Sequence, residues 1–294
     1  MPTTERRISG RSIRRGRRRP RWVGRIVLPL ILVLVAGAGY VAFNTVRANF
    51  GEPSCRATAL GRSATFSPEQ TANAATITAI ALRRGLPARA ATIANATAIV
   101  ESKLRNITYG DRDSLGLFQQ RPSQGWGTQA QILDPVYATN KFYDALVKVD
   151  GYQSMAITKV AQEVQHSGFP QAYADHEEQG RILASTLSGH SPGGLGCRLD
   201  AATASTPAAT IAAHLTDELG VPATVQAGGV RAQGHNTQEA WAAGSWAVAH
   251  AEAYGILAVT VGDRTWTRAR GESAWSWQAA TKPVAPTSVT ITRQ

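Results

Sequence analysis

The 294-residue sequence predicts a mainly α-helical domain followed by a small α+β module, both behind an N-terminal transmembrane helix. Three observations lead to that order. An uncharged apolar run follows a dense arginine block near the N-terminus. Helical periodicity with capping signals dominates residues 67–198. From residue 207 onward, helices stopped by glycine alternate with short β-branched runs.

The formal net charge is +11. Ten arginines and a single acid, Glu5, fall within residues 1–25, so the excess is concentrated in a basic tail and the rest of the chain is close to neutral. This distribution argues against a nucleic-acid partner. The uncharged run from Ile26 to Phe43 extends to Val46, and residues 26–46 at about 1.5 Å each would cross a bilayer core of about 30 Å. Arginines on one side orient the tail toward the cytoplasm. The small-residue site Ala36-Gly37-Ala38 offers the alternative of a cleaved signal peptide. Either way residues 47–294 are expected outside the cytoplasm, and the anchor reading makes the protein a single-pass component of the cell membrane. Two cysteines, Cys55 and Cys197, are then expected to pair. Closing so long a loop is worth roughly 4–5 kcal/mol in the chain-entropy account.

Residues 47–66 read as a connector. Ser67-Pro68-Glu69-Gln70 opens a helix with a serine N-cap, proline at the first position and glutamine at the third. Gly85 and Pro87 stop it. A second helix is predicted from about 88 to 105, with Ile93, Ala96, Val100 and Leu104 on its inward stripe. Residues 106–127 are loop-rich. Asp134-Pro135 starts a helix carrying Val136, Tyr137, Phe142, Tyr143 and Leu146, and two more are predicted over about 153–165 and 170–187. Residues 67–198 thus form the helical domain, 199–206 a linker and 207–294 the α+β module. In the last, helices over about 207–219 and 237–253 alternate with strands at 223–227, 256–261, 264–268 and 288–292. Its tryptophans, Trp241, Trp246, Trp266, Trp275 and Trp277, suit either internal packing or a glycan-binding face. An envelope protein is the other partner considered for this module.

Glu101 stands out at the edge of the second helix's apolar stripe. It lies near the helix C-terminus, where the dipole disfavours negative charge, and among apolar neighbours that would raise a carboxyl pKa. A carboxylic acid kept protonated near neutrality suits general-acid cleavage of a glycosidic bond. The plainer alternative is a rim glutamate paired with Arg105 four residues on. The loop that follows supplies glycines at 110, 116, 125 and 127, the aromatics Tyr109, Phe118 and Trp126, and the neutral hydrogen-bonding groups Gln119, Gln120 and Ser123. Those groups suit sugar recognition, or equally a braced loop over a core.

Glu101-Ser102, then Gly116-Leu117-Phe118-Gln119, then Pro122, resembles the motif of the SLT-type lytic transglycosylases of the lysozyme-like superfamily. The resemblance covers about residues 65–190 and is strongest over 97–128. It implies a lysozyme-like fold for the helical domain and cleavage of peptidoglycan glycan strands without a cofactor. Glu101 would protonate the bridging oxygen and then accept the muramyl 6-hydroxyl proton. Ser102 and Gln119 would match the family's serine and glutamine beside the substrate. Asn140, within Asp134–Leu146, would match the asparagine of the downstream helix. Where the family carries Ala-Tyr-Asn-x-Gly, this chain has Val164-Gln165-His166-Ser167-Gly168, which places His166 at the asparagine position. Tyr109, Phe118, Trp126 and Asp113 complete the expected substrate-binding set. Asp113 is left open as a second carboxylate that would make the enzyme a hydrolase (a muramidase), and Asp111 is expected to cap a turn. The six histidines show no metal-ligand spacing. A wall-binding or structural envelope protein with no turnover is the alternative to an enzyme.

Overall fold

The computed structural model describes residues 32–43, 51–165 and 171–294. It divides into two units, Met1–Asn49 and Phe50–Gln294. In the first, the described residues form a helix, α1, over 32–43. No helix among the described residues is long and apolar enough to cross a membrane. The expected transmembrane helix over 26–46 is corrected on that ground; its flanks, 26–31 and 44–46, lie outside the described residues, as does the basic tail.

The second unit also departs from the expected mainly α domain with a separate module, because it contains two antiparallel sheets. The segment read as a connector holds β1 (Ser54–Ala59) and β2 (Arg62–Phe66), which form a hairpin. β1 also pairs with β3 (Leu195–Arg198), giving the order β2-β1-β3. This register sets Cys55 opposite Cys197, and the two form the expected disulfide.

Between these strands lie the helices. α2 (Pro68–Arg83) opens with the capping box: Gln70 N–H donates to Ser67 Oγ at 3.2 Å, and Ser67 N–H to Gln70 Oε1 at 2.8 Å. α3 (Ala88–Ser102) is built from small and β-branched residues and is buried on nearly every side. It can therefore lie close against α2 and α8. It ends in a Schellman-type turn in which Leu104 N–H reaches Ala98 O, with Lys103 in the left-handed region at φ 56°. α4 (Gln129–Ile132) is one turn long, and α5 (Pro135–Leu146) starts at the N-cap Asp134. α6 covers Ile157–Gln165. The single helix expected over 170–187 is two, α7 (Ala172–Asp175) and α8 (Glu177–Leu187), meeting at His176.

The C-terminal part contains α9 (Ala208–Leu219), β4 (Ala223–Gln226), β5 (Gly229–Gln233), α10 (Thr237–Ala249), α11 (Ala251–Tyr254), β6 (Ile256–Val261), β7 (Arg264–Thr267), β8 (Gln278–Ala279) and β9 (Ser288–Arg293). Its strands form one antiparallel sheet in the order β4-β5-β9-β6-β7-β8. α9 and α10 pack against this sheet and also against α2. A buried carboxylate joins the three helices. Glu218 of α9 accepts from Thr76 Oγ1 of α2 at 2.8 Å and from Trp246 Nε1 of α10 at 2.9 Å. Trp246 and Trp266 are fully buried, and Trp241 meets Trp277 edge to face at 4.9 Å. These tryptophans pack the interior rather than forming an exposed row.

Candidate functional site

The end of α3 and the loop after it are held together by a buried hydroxyl. The single Ser102 hydroxyl proton is shared between Leu117 O at 2.8 Å, spanning from the helix end to the following turn, and Ala98 O at 3.1 Å. That turn is a small hairpin. Leu115 and Gln120 exchange two backbone hydrogen bonds of 3.0 Å, leaving Gly116-Leu117-Phe118-Gln119 as its tip. Gly116 has φ 74°, and a Cβ there would stand 2.7 Å from Ile132 O, so both conformation and space call for glycine. Leu117 and Phe118 point into the core, where Phe118 stacks on Phe142 at 4.4 Å. Phe118 is thus fully buried and faces no ligand, unlike the substrate-facing role expected of it.

The remaining tip residue, Gln119, is left-handed at φ 49° and turns toward a cleft of about 330 Å³. Its Nε2 donates to Tyr109 O and Gly116 O, both at 3.3 Å. The backbone of Gly110 lies so close to its amide that a Cβ would fall 1.9 Å from Gln119 Oε1. Glu101 lines the same cleft, with Asp111, Ser114, Gln120, Trp126 and Gln165. Gln120 donates to Ala138 O at 3.1 Å, while its buried Oε1 has no partner among the described residues.

Glu101 is half-buried in this wall. Burial pushes its pKa above the ordinary carboxyl value, opposed in part by hydrogen bonds from Tyr173 and Gln165. Tyr173 Oη donates to Glu101 Oε1 at 2.6 Å from α7, and the tyrosine itself is fully buried. Gln165, at the end of α6, also ties to the hairpin, donating to Phe118 O at 2.7 Å. Glu101 forms no ion pair with Arg105 among the described residues. The carboxyl therefore sits in a polar-walled cleft with its nearest donors neutral.

The other expected residues separate into groups. Trp126 is half-buried and lines the cleft. Tyr109 is 72 % exposed and is not among the lining residues. Asp113 is held away by Arg121 Nε at 2.7 Å and Ser123 N–H at 2.8 Å, which keep its pKa well below the usual carboxylate range. It braces the loop at the short 3₁₀ turn Pro122–Gln124. Asp111, expected only to cap a turn, is the aspartate that faces the cleft, with Arg112 as a distant partner at 3.9 Å. Asn140 is tied to Val136 O and Arg84, away from the cleft. His166 lies outside the described residues. No cluster of histidine, cysteine and acidic side chains able to hold a metal occurs among the described residues.

Tyr173 and Gln165 were not predicted. Tyr173 is 72 residues from Glu101 in sequence, and no spacing rule connects a tyrosine on a one-turn helix to a carboxylate on another. Compared with known proteins, the chain matches no family model and no curated sequence.

Proposed function

We propose that the protein cleaves peptidoglycan glycan strands outside the cytoplasm as a lytic transglycosylase, with Glu101 as general acid and then base. The observation that carries this reading is the cleft-lining carboxyl of Glu101, biased toward its protonated form by burial beside the Gly116–Gln119 hairpin. In the first step Glu101 gives its proton to the oxygen between N-acetylmuramic acid and N-acetylglucosamine, and the C1–O bond breaks. The anionic Glu101, stabilised by the Tyr173 hydroxyl, then takes the proton of the muramyl 6-hydroxyl as that oxygen closes on C1. The product is a 1,6-anhydro sugar. Gln119 offers its amide oxygen to a substrate acetamido N–H, and Trp126 offers an apolar face for a sugar ring. The Cys55–Cys197 disulfide supports an oxidising compartment.

A second reading, a wall-binding protein without turnover, is favoured by the departure at 164–168 from the family's Ala-Tyr-Asn-x-Gly. Asp111 at the cleft rim favours hydrolysis over anhydro-sugar formation if it activates water. Mass spectrometry of purified peptidoglycan incubated with the full chain separates these outcomes. Anhydro-muropeptides that disappear in Glu101→Gln are expected. Reducing ends would replace the lyase by a hydrolase, co-sedimentation without products would favour the binder, and neither products nor binding would overturn the proposal.

A further inference from the structure

A second crevice shares no lining residue with the Glu101 cleft. Its volume is about 440 Å³, within the ~300–1,000 Å³ range of small-ligand sites. Phe66, Ile99, Val100 and Ala172 give it an apolar floor, and Thr65, Lys103, His176 and Gln179 a polar rim. Ala172 and His176 line this crevice, while Tyr173 between them reaches Glu101.

Two features give the crevice a chemical preference. Lys103 is the one Lys, Arg, Asp or Glu residue in its lining, and it makes no ion pair among the described residues. It is also exposed and occupies a left-handed helix-end position that glycine fills more readily. The nearby amide of Gln70 is already spent on Ser67 and on Lys103 O. On the rim, Thr65 Oγ1 has no hydrogen bond among the described residues, and Gln179 Nε2 is similarly unengaged, its Oε1 meeting His176 Nδ1 at 2.8 Å. A hydroxyl and an amide beside a small apolar floor match a peptide unit with a short alkyl side chain, and the unpaired ammonium matches a carboxylate.

We propose that this crevice binds a short peptide bearing a free carboxylate, with Lys103 as the carboxylate partner and the Phe66–Val100 floor holding a small side chain. The site is separate from the Glu101 cleft, so the proposal stands whatever that cleft cleaves.

The test is calorimetric titration of the full chain with N-acetyl-alanyl-alanine, alongside its uncharged analogue N-acetyl-alanyl-alanine amide. Saturable binding of the acid is expected, about tenfold tighter than the amide analogue and about tenfold weakened in Lys103→Gln, as loss of one charge-assisted contact predicts. Gln179→Glu, which adds a carboxylate at a half-buried rim position, should weaken it similarly. Amide chemical-shift changes should centre on Val100, Ala172 and Gln179. Absence of saturable binding at millimolar peptide would overturn the proposal. So would equal affinity for both peptides, unchanged affinity in Lys103→Gln, or shifts centred on Gln119 and Trp126.

Discussion

Replacing Tyr173 by phenylalanine removes one oxygen from a fully buried side chain and leaves its ring in place. The lost group is the hydroxyl that donates to Glu101 Oε1 at 2.6 Å. Hydrogen bonds to charged groups contribute about 1.5–3 kcal/mol, roughly twice what a neutral acceptor gains. The anionic form of Glu101 therefore loses on the order of 1 kcal/mol more than the protonated form. The midpoint of Glu101 titration should move upward by that difference divided by about 1.36 kcal/mol per unit. The direction adds to the effect of burial, which already raises this pKa. Carboxyl-carbon NMR titration of the full chain, wild type beside Tyr173→Phe, reads it directly. Stability must follow the same sign. A carboxyl whose folded pKa lies above its unfolded value supports the fold below the unfolded value and loses that support as pH rises through the folded one. Tyr173→Phe should therefore be more destabilised relative to wild type at pH 8 than at pH 4. An unchanged or lowered Glu101 midpoint in the variant would refute the assignment of Tyr173 as the group that stabilises the carboxylate.

Other perturbations probe the frame around the cleft. Gly116→Ala places a methyl 2.7 Å from Ile132 O at a left-handed position and should cost about 1–3 kcal/mol in urea unfolding, with faster amide exchange at Leu115 and Gln120. Glu218→Ala leaves Thr76 and Trp246 without their shared acceptor and should destabilise by about 3 kcal/mol or more. His214 and other neighbours hold the Glu218 pKa down against the burial that raises it, so the carboxylate stabilises the fold above the ordinary Glu range and ceases to as pH falls through its lowered value. The difference between this variant and wild type should accordingly shrink in acid. Pairwise Cys55→Ser and Cys197→Ser should lower stability by up to about 5 kcal/mol; a loss under 1 kcal/mol would mean that the unfolded chain is already compact.

Much of the helical frame was legible because its signals are local. The Ser67–Gln70 box and the Asp134 cap both form the hydrogen bonds their spacing predicts. Periodicity carries α3 to about 105, three residues past its end at Ser102, since Lys103 adopts a conformation that sequence rules reserve for glycine. β1, β2 and β3 were not legible. Their segments, SCRATA, RSATF and LGCR, lack clean apolar alternation, and β1 meets β3 across the 142-residue separation of Cys55 and Cys197. In the site, Glu101, Gln119 and Trp126 were anticipated to share a ligand surface and do line one cleft. The two aspartates exchanged their expected places, because Arg121 competes successfully for Asp113. The predicted membrane helix is corrected on the described residues alone, among which no helix is long and apolar enough to cross a bilayer core.

The Thr76–Glu218–Trp246 junction bears on how this chain can be dissected in the laboratory. Cutting it at the linker would strip a helix at the heart of the N-terminal half of one flank, wetting apolar side chains and orphaning a threonine hydroxyl together. Truncations at residue 200 should misfold or aggregate rather than release a working fragment, so the roles of the two halves are better separated by point substitution than by deletion.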